Sequence, residues 1–374
     1  MNDMKRIAAF RIYNSGLLNE FSSVTDCIEK HFGFQAQMKQ VPFLAIALRT
    51  NDATLNYMNS LIQDERKIVR LWGLRNTLHY YSVDDWSLLC SYLKKNPSWF
   101  ERRMRKSNID YDKLYQCVER IVEKSDYINR NILMKNGIEK EYIGPWGDIF
   151  IDLNNNGLIC NNSKNSREAY YANRQYWCPN LLFEWKTYDR ALKEIILRYF
   201  HCYGPATIDD LLHWLGMPNT KTNYKSIFHI CESLSEIIEY DDVLWGTAKQ
   251  YEQYRSFDYK KILNENVFFL GKFDPLLLAY DDKSWIVDEE KKIYIWRKAG
   301  HVSSVVLLEG KAYATWNFKI EKKKITVFIY KFMVCSIEIN KIRRPIYKIA
   351  KLLGADTVRC IIRNVNGAEE IFYL

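Results

Sequence analysis

The stretch from about residue 190 to 248 constrains the fold most, because three helix patterns and a hairpin pattern follow one another with few residues to spare. "RALKEIILRYFHCYG" (190–204) carries apolar residues at helical spacing and stops at Gly204. In "PATIDDLLHWLGM" (205–217), Thr207 and Asp210 form a T-x-x-D start signal, and Leu211, Leu212, Trp214 and Leu215 supply an apolar face. "NYKSIFHICESLSE" (223–236) predicts a third helix, and "IIEYDDVLWGT" (237–247) two short strands about a Tyr-Asp-Asp turn. Three helices and a hairpin make a winged helix, a variant of helix-turn-helix.

The N-terminal part reads the same way. A first helix falls within residues 5–18, "SVTDCIEKHFG" (23–33) gives a second ended by Gly33, and "AQMKQVPFLAIALR" (36–49) is a third in the recognition-helix position. Pro42 would kink that third helix. "IVRLWGLRNTLHYYS" (68–82) holds two strand-like runs around Leu74–Asn76, and "SVDDWSLLCSYLKK" (82–95) opens another helix with a capping box from Ser82 to Asp85.

Residues 110–161 hold two helical patterns and "IFIDLNNNGLICNN", where Asn156-Gly157 signals a tight turn between apolar runs. This is readable as a third, degenerate winged helix. The C-terminal third is β-rich: "NVFFLGKFDPLLLAY", "SWIVDEEKKIYIWR", "SVVLLEGKAYATWNF" and "KITVFIYKF" are separated by short polar turns. The expected architecture is α+β, with tandem winged-helix domains followed by a C-terminal β-barrel. Its expected parts are residues 1–95, 96–180, 181–250 and 251–374.

A chain of 374 residues exceeds what one core usually holds, which agrees with several domains. A net charge of +9 beside 26 Tyr and 11 Trp suits a nucleic-acid partner, through phosphate attraction and base stacking. No apolar run is long enough to span a membrane, and the N-terminus "MNDMKRIAAFRIYNSG" has no signal-peptide pattern. Nine cysteines are scattered without a C-x-x-C pair or zinc-type spacing to histidine, so they read as reduced, mostly buried thiols of a cytoplasmic protein. No P-loop and no H-E-x-x-H is present, so neither a cofactor nor a metal is expected.

Five blocks carry a resemblance: "FGFQAQ", "VRLWGLRNTLHYYSVDDW", "RYFHCYGPATIDDLLHWLGM", "GKFDPLLLAYDDK" and "VVLLEGKAYATW", in this order over roughly residues 5–330. The chain resembles the winged-helix DNA-binding family of bacterial DNA glycosylases (AlkZ/YcaQ-like). The fold this implies is tandem winged helices followed by a C-terminal β-barrel. The family's catalytic motif, Gln-x-Gln or Gln-x-Asp, falls here on Gln35, Ala36 and Gln37, which places the chain in the Gln-x-Gln branch. The middle residue is usually apolar, and alanine fits only as a small one. The family's R-G-T-x-H block stands here as Arg75-Asn76-Thr77-Leu78-His79; Asn76 replaces glycine, and asparagine tolerates the left-handed turn conformation better than most residues.

The resemblance implies a monofunctional glycosylase for alkylated, cationic purines, with crosslink unhooking as an extension. Its partner is duplex DNA with alkylated bases, its place the bacterial nucleoid, and a monomer suffices because the units are tandem. The alternative is a non-catalytic winged-helix regulator. Breaking an N-glycosidic bond passes through an oxocarbenium-like sugar. N7- or N3-alkylated purines already carry a positive charge and leave as neutral molecules. A glutamine amide oxygen then suffices to accept from the attacking water and to face the developing charge. The candidate residues are Gln35 and Gln37 for catalysis and Arg70, Arg75, Thr77 and His79 for DNA. Lys322, Lys323 and Lys324, in the basic link "KIEKKKI", are candidates for phosphate contact or for a solvated hairpin tip. "FERRMRKSN" (100–108) is a further basic run, readable as a solvated helix end or a phosphate contact.

Overall fold

A computed structural model of the chain describes residues 2–95, 97–144, 147–162, 170–241 and 243–374. Helices and strands are mixed along it. It divides into two units, Met1–Met58 with Ile195–Leu374, and Asn59–Glu194.

In the first unit the clearest stretch of sequence becomes the helices Tyr188–Tyr203 (its turns from Ile195 onward belong here), Ile208–Leu215 and Lys221–Ser233. Thr207 caps the second of these. Its Oγ1 accepts from the Asp210 amide at 3.0 Å, while Asp210 Oδ2 accepts from the Thr207 amide at 3.1 Å. The four apolar residues expected to face inward, Leu211, Leu212, Trp214 and Leu215, are all buried. The strands Ile237–Asp241 and Leu244–Thr247 then pair antiparallel. Asp242, part of the expected turn, lies outside the described residues. Arg11 of the first helix, Asn2–Asn14, ties the capped end in place. Its Nε donates to the Pro205 carbonyl at 2.8 Å, and its guanidinium lies 4.0 Å above the ring of Tyr280.

The C-terminal strands do not form the expected barrel. Val267–Leu270, Val305–Leu308, Lys311–Glu321, Lys324–Lys331, Thr357–Arg363 and Glu369–Tyr373 make one six-stranded sheet. Among the described residues it stays open, with Val267–Leu270 and Glu369–Tyr373 as its edges. The reason lies in the connection between Lys324–Lys331 and Thr357–Arg363, which run parallel. A parallel pair needs a crossover, here the helix Ile339–Leu353, whose Ile342, Ile346, Ile349 and Leu352 are buried. A helix covering sheet surface removes the need for the sheet to close on itself. "SWIVDEEKKIYIWR" also differs from expectation. Its charged middle lacks strand alternation and forms the turns Glu289–Lys291 and Lys292–Ile295, and only Trp296–Arg297 is extended, paired with His301–Val302.

In the second unit, Ile68–Trp72 and Leu78–Ser82 form an antiparallel hairpin in register from Ile68↔Ser82 to Trp72↔Leu78. The expected capping box at Ser82 is absent. The Val83 amide continues the ladder to the Lys67 carbonyl at 2.9 Å, a 3₁₀ turn follows over Val83–Asp85, and the helix begins only at Trp86. The tight turn expected at Asn156-Gly157 forms, between a helix and the short strand Ile159–Cys160. Asp148–Asn155 is helical, burying Ile149, Phe150 and Leu153, and Gly157 supplies the positive φ of 70° that ends it. A core of Phe100, Met104, Val118, Val122, Ile128, Leu133, Phe150 and Tyr171 gathers the helices of this unit.

Candidate active site

The glutamine pair sits between two helices, not on one. Val24–His31 ends with Phe32 in the left-handed region at φ 50°, its amide bonded to Glu29 O at 3.0 Å and that of Gly33 to Ile28 O at 3.1 Å. The next helix starts only at Val41, with Pro42 in its first turn. A helix running through Pro42 would lose an amide donor and clash with the preceding turn; starting there loses nothing. The residues between are extended over Phe34–Gln35 and bend at Gln37.

Burial is continuous up to Phe34 and alternates from there to Gln37. Phe32, Phe34 and Ala36 are 1%, 1% and 0% exposed, whereas Gln35 is half-buried and Gln37 exposed. Phe34 and Ala36 are thus anchored inward, while Gln35 and Gln37 beside them keep solvent access. The anchors are tight: Phe34 packs 4.6 Å from the His31 ring, which also meets Phe21 at 5.4 Å and Tyr203 at 5.7 Å. Burial, and then the charge of Arg49, holds His31 well below its usual pKa, so it is neutral, with Nδ1 donating to the Cys27 carbonyl at 2.8 Å. Arg49 is itself fully buried and donates twice to Asp274, at 2.7 and 2.8 Å.

In the second unit, the turn of the hairpin has two consecutive residues at positive φ, Arg75 at 56° and Asn76 at 57°, closed by the Thr77 amide on Leu74 O at 3.3 Å. This is the backbone of a type I′ turn, and asparagine occupies the position where glycine is usual. The geometry brings Arg75, Thr77 and His79 together. His79 Nδ1 lies 3.0 Å from the Thr77 carbonyl and Nε2 3.3 Å from Arg75 Nη2. A carbonyl only accepts, so the proton sits on Nδ1 and Nε2 accepts from the guanidinium. Burial, and then Arg75, lowers the His79 pKa to about 3, and the ring is neutral. Arg70 stands apart from this group. It is buried, its Nη1 donates to Asn161 Oδ1 at 2.7 Å, and burial lowers its pKa.

Lys322, Lys323 and Lys324 are all exposed at the tip joining Lys311–Glu321 to Lys324–Lys331, with Lys322 at φ 56°. Lys323 reaches Asp356 at 3.0 Å, a surface pair worth about 0–1 kcal/mol. The basic run at 100–108 belongs largely to the helix Trp99–Lys106, where Arg105 is answered by Glu101 at 2.9 Å and by both oxygens of Asp112 at 2.9 and 3.1 Å. Among the described residues, no group of three or more His, Cys, Asp or Glu is placed to hold a metal ion. Likewise, no described helix is long and apolar enough to cross a membrane.

The model of the AlkZ-like DNA glycosylases matches residues 28–334. The chain belongs to the AlkZ-like DNA glycosylase family. Membership places it among the hydrolases that act on N-glycosyl bonds. It is 24% identical over 325 residues to the interstrand DNA cross-link repair glycosylase of Streptomyces sahachiroi, covering 82% of this chain and 85% of that protein. Its fold is similar to the solved structure of the Streptomyces sahachiroi DNA glycosylase AlkZ, with a TM-score of 0.78 and 19% identity over 95% of this chain and 98% of that one.

Sequence reading misses the residues that fix the hairpin of this AlkZ-like chain. Asn154 accepts from the Trp72 amide at 3.1 Å and donates to the Trp72 carbonyl at 3.0 Å. Asn162 Oδ1 accepts from the Arg70 amide at 2.9 Å, and the Asn161 amide donates to the Arg70 carbonyl at 2.8 Å. The side chains of Asn154 and Asn162, with the Asn161 backbone, thus pair the Ile68–Trp72 strand as a neighbouring strand would. The visible signal is the asparagine-rich "NNNGLICNN" itself, which turn chemistry alone does not account for.

Proposed function

We propose that this chain is a monofunctional DNA glycosylase that hydrolyses the N-glycosidic bond of alkylated, cationic purines, with Gln35 and Gln37 as its catalytic residues. The observation that carries this reading is the pair of neutral amides that keep solvent access beside the buried anchors Phe34 and Ala36. In the reaction the bond from C1′ to the base nitrogen breaks and its electron pair leaves with the base. Because the base begins as a cation, it departs neutral. Water oxygen bonds to C1′ and its proton passes to solvent. Gln37, the more exposed amide, accepts from that water and turns its oxygen toward the sugar cation, and Gln35 positions its neighbour or the strand. A rigid mount matters because a 1 Å displacement of such a group costs on the order of 100-fold in rate.

Arg75 and Thr77 at the hairpin turn, and Lys322, Lys323 and Lys324 at the strand tip, are proposed to contact phosphate. Arg70 and His79, both buried, act by holding the hairpin that presents Arg75. The helices and hairpin of residues 188–247 are proposed to serve as a winged helix within the four-part, tandem arrangement, acting as a monomer on chromosomal DNA in the cytoplasm. The cross-link repair named for the Streptomyces relative supports extending the substrate to crosslinks through purine N7, where each linked base carries the same leaving-group activation. The test is incubation of the full chain with duplex DNA bearing N7-methylguanine or an N7-linked crosslink, with detection of free base and abasic sites. Release from wild type that is lost in Gln35→Ala/Gln37→Ala supports the proposal. No release from either substrate, or equal release by the double variant, refutes it.

A further inference from the structure

A cleft of about 400 Å³ opens on the C-terminal sheet, within the range of about 300–1,000 Å³ typical of small-ligand sites. Its chemistry is one-sided. Lys272, Arg297 and Lys331 line it together with His301, and no carboxylate does among the described residues. Among the described residues Lys331 is anchored by neutral acceptors alone, Cys335 O at 2.9 Å and Asn364 Oδ1 at 2.8 Å, with no carboxylate to compensate its charge. Neither Lys272 nor Arg297 lies within ion-pair distance of a carboxylate among the described residues. By contrast, the cleft that holds Lys30 and His201 also carries Glu29 and Glu236. A site this basic selects for an anion.

The other walls define what the anion is attached to. Tyr294 and Phe332 stack face to face, 5.0 Å apart and 2° from parallel, and the outer ring, Tyr294, is exposed. The buried Ser303 and Ser304 add small hydroxyls, neither with a hydrogen-bond partner among the described residues. Cations beside an exposed aromatic face and small donors match a phosphate joined to a flat base.

The cleft also lies on the hairpin whose tip carries the three lysines. Thr315 pairs with Tyr330 at the cleft, and Glu321 pairs with Lys324 at the tip. At about 3.3 Å per residue the six positions from Thr315 to Glu321 span roughly 20 Å. A chain of phosphates can follow that track, whereas a lone nucleotide reaches only one end of it.

We propose that this cleft binds one nucleoside phosphate of an unpaired DNA strand, seating its phosphate among Lys272, Arg297 and Lys331 and its base on Tyr294. The proposal rests on the DNA reading above for the source of the strand. It does not rest on base excision.

The test is equilibrium binding of a fluorescent single-stranded oligonucleotide to the full chain, with dAMP and inorganic phosphate as competitors. Arg297→Gln/Lys272→Gln and Tyr294→Ala change exposed or half-buried side chains, and unchanged melting temperatures confirm folding. Arg297→Gln alone serves if the double variant unfolds. The expected result is binding weakened on the order of 10-fold by each change, with dAMP and phosphate competing poorly. Undiminished binding by the variants overturns the site. Competition by dAMP equal to that of the oligonucleotide overturns the strand as its source, and equal competition by phosphate overturns the base-stacking part. None of these readouts needs excision, so they fail or succeed separately from the glycosylase proposal.

Discussion

Arg75 Nη2 lies 3.3 Å from His79 Nε2, so a cation donates to a histidine that must stay neutral to accept. A protonated His79 would present a proton to the guanidinium and repel it. The pair therefore fixes the imidazole as one tautomer and directs Arg75 from a turn residue at φ 56°, a conformation few non-glycine residues adopt.

The pH dependence follows. The pKa of folded His79 lies near 3, below its ordinary value of about 6.5, so the folded state favours the neutral ring. Between those values the unfolded chain binds the extra proton. This contribution to stability is complete above about pH 6.5 and is lost as pH falls toward 3, with a slope of up to about 1.4 kcal/mol per unit. His79→Asn keeps a donor for the Thr77 carbonyl and removes the titration. The stability gap between wild type and variant, from urea unfolding, should narrow steadily from pH 7 to pH 4. Parallel pH profiles would show that His79 does not titrate in this way.

The Arg49–Asp274 pair, fully buried and joined by two hydrogen bonds, ties the helix after the glutamines to the start of the Pro275–Leu278 turn. Removing one partner strands a buried charge, so Asp274→Leu should cost about 3–5 kcal/mol. The double change Arg49→Met/Asp274→Leu should recover most of that loss, because the desolvation penalty disappears with both charges. Chemical denaturation of the three proteins checks this, and additive losses would contradict it.

The legible parts of the fold are the local ones. Thr207 and Asp210 are three residues apart and their capping box forms as read; Asn156-Gly157 is a tight turn as read, at the end of a helix. Arg49 and Asp274 are 225 residues apart, and nothing in either neighbourhood announces the other. The candidate pair Gln35 and Gln37 is visible in sequence, but its mount is misread as helix, because "PFLAIALR" has helical spacing and Pro42 marks the start of that helix rather than a kink within it. The open sheet is missed for a different reason. It depends on the amphipathic Ile339–Leu353, a pattern plain in sequence but lying beyond the strands that suggested a barrel.

Ala36 is 0% exposed between the two glutamines. A larger side chain there overpacks the clamp, which typically costs about 1–3 kcal/mol, and the strain is relieved by moving the segment. Ala36→Leu should lower base release from N7-methylguanine duplex by about 10- to 100-fold while leaving duplex affinity within a few-fold. Wild-type excision by a folded Ala36→Leu would show that the clamp does not position the amides.

The lysine tip predicts a salt effect. If Lys322, Lys323 and Lys324 each neutralise a phosphate, replacing all three with Gln should reduce the slope of log affinity against log salt by about 2–3, at about 0.9 per contact. These side chains are exposed, so the melting temperature should hold. An unchanged slope from a titration between 50 and 200 mM salt would return the tip to a solvated turn.

Gln37 gives the sharpest division between catalysis and mere display. Gln37 is exposed, so Gln37→Ala should leave folding and duplex affinity nearly unchanged. Losing one positioned group that stabilises a transition state costs about 10- to 1000-fold in rate, and single-turnover base release should fall by that amount. Gln37→Asp keeps an oxygen acceptor, one methylene closer to the backbone, adds a negative charge that stabilises the oxocarbenium-like sugar, and is a stronger base. It should retain more activity than Gln37→Ala. If Gln37→Asp were as inactive as Gln37→Ala while still binding duplex, the essential feature would be the amide's own donor, and the water-accepting role assigned to Gln37 would be wrong. If both variants released base at the wild-type rate, Gln37 would take no part in the chemistry.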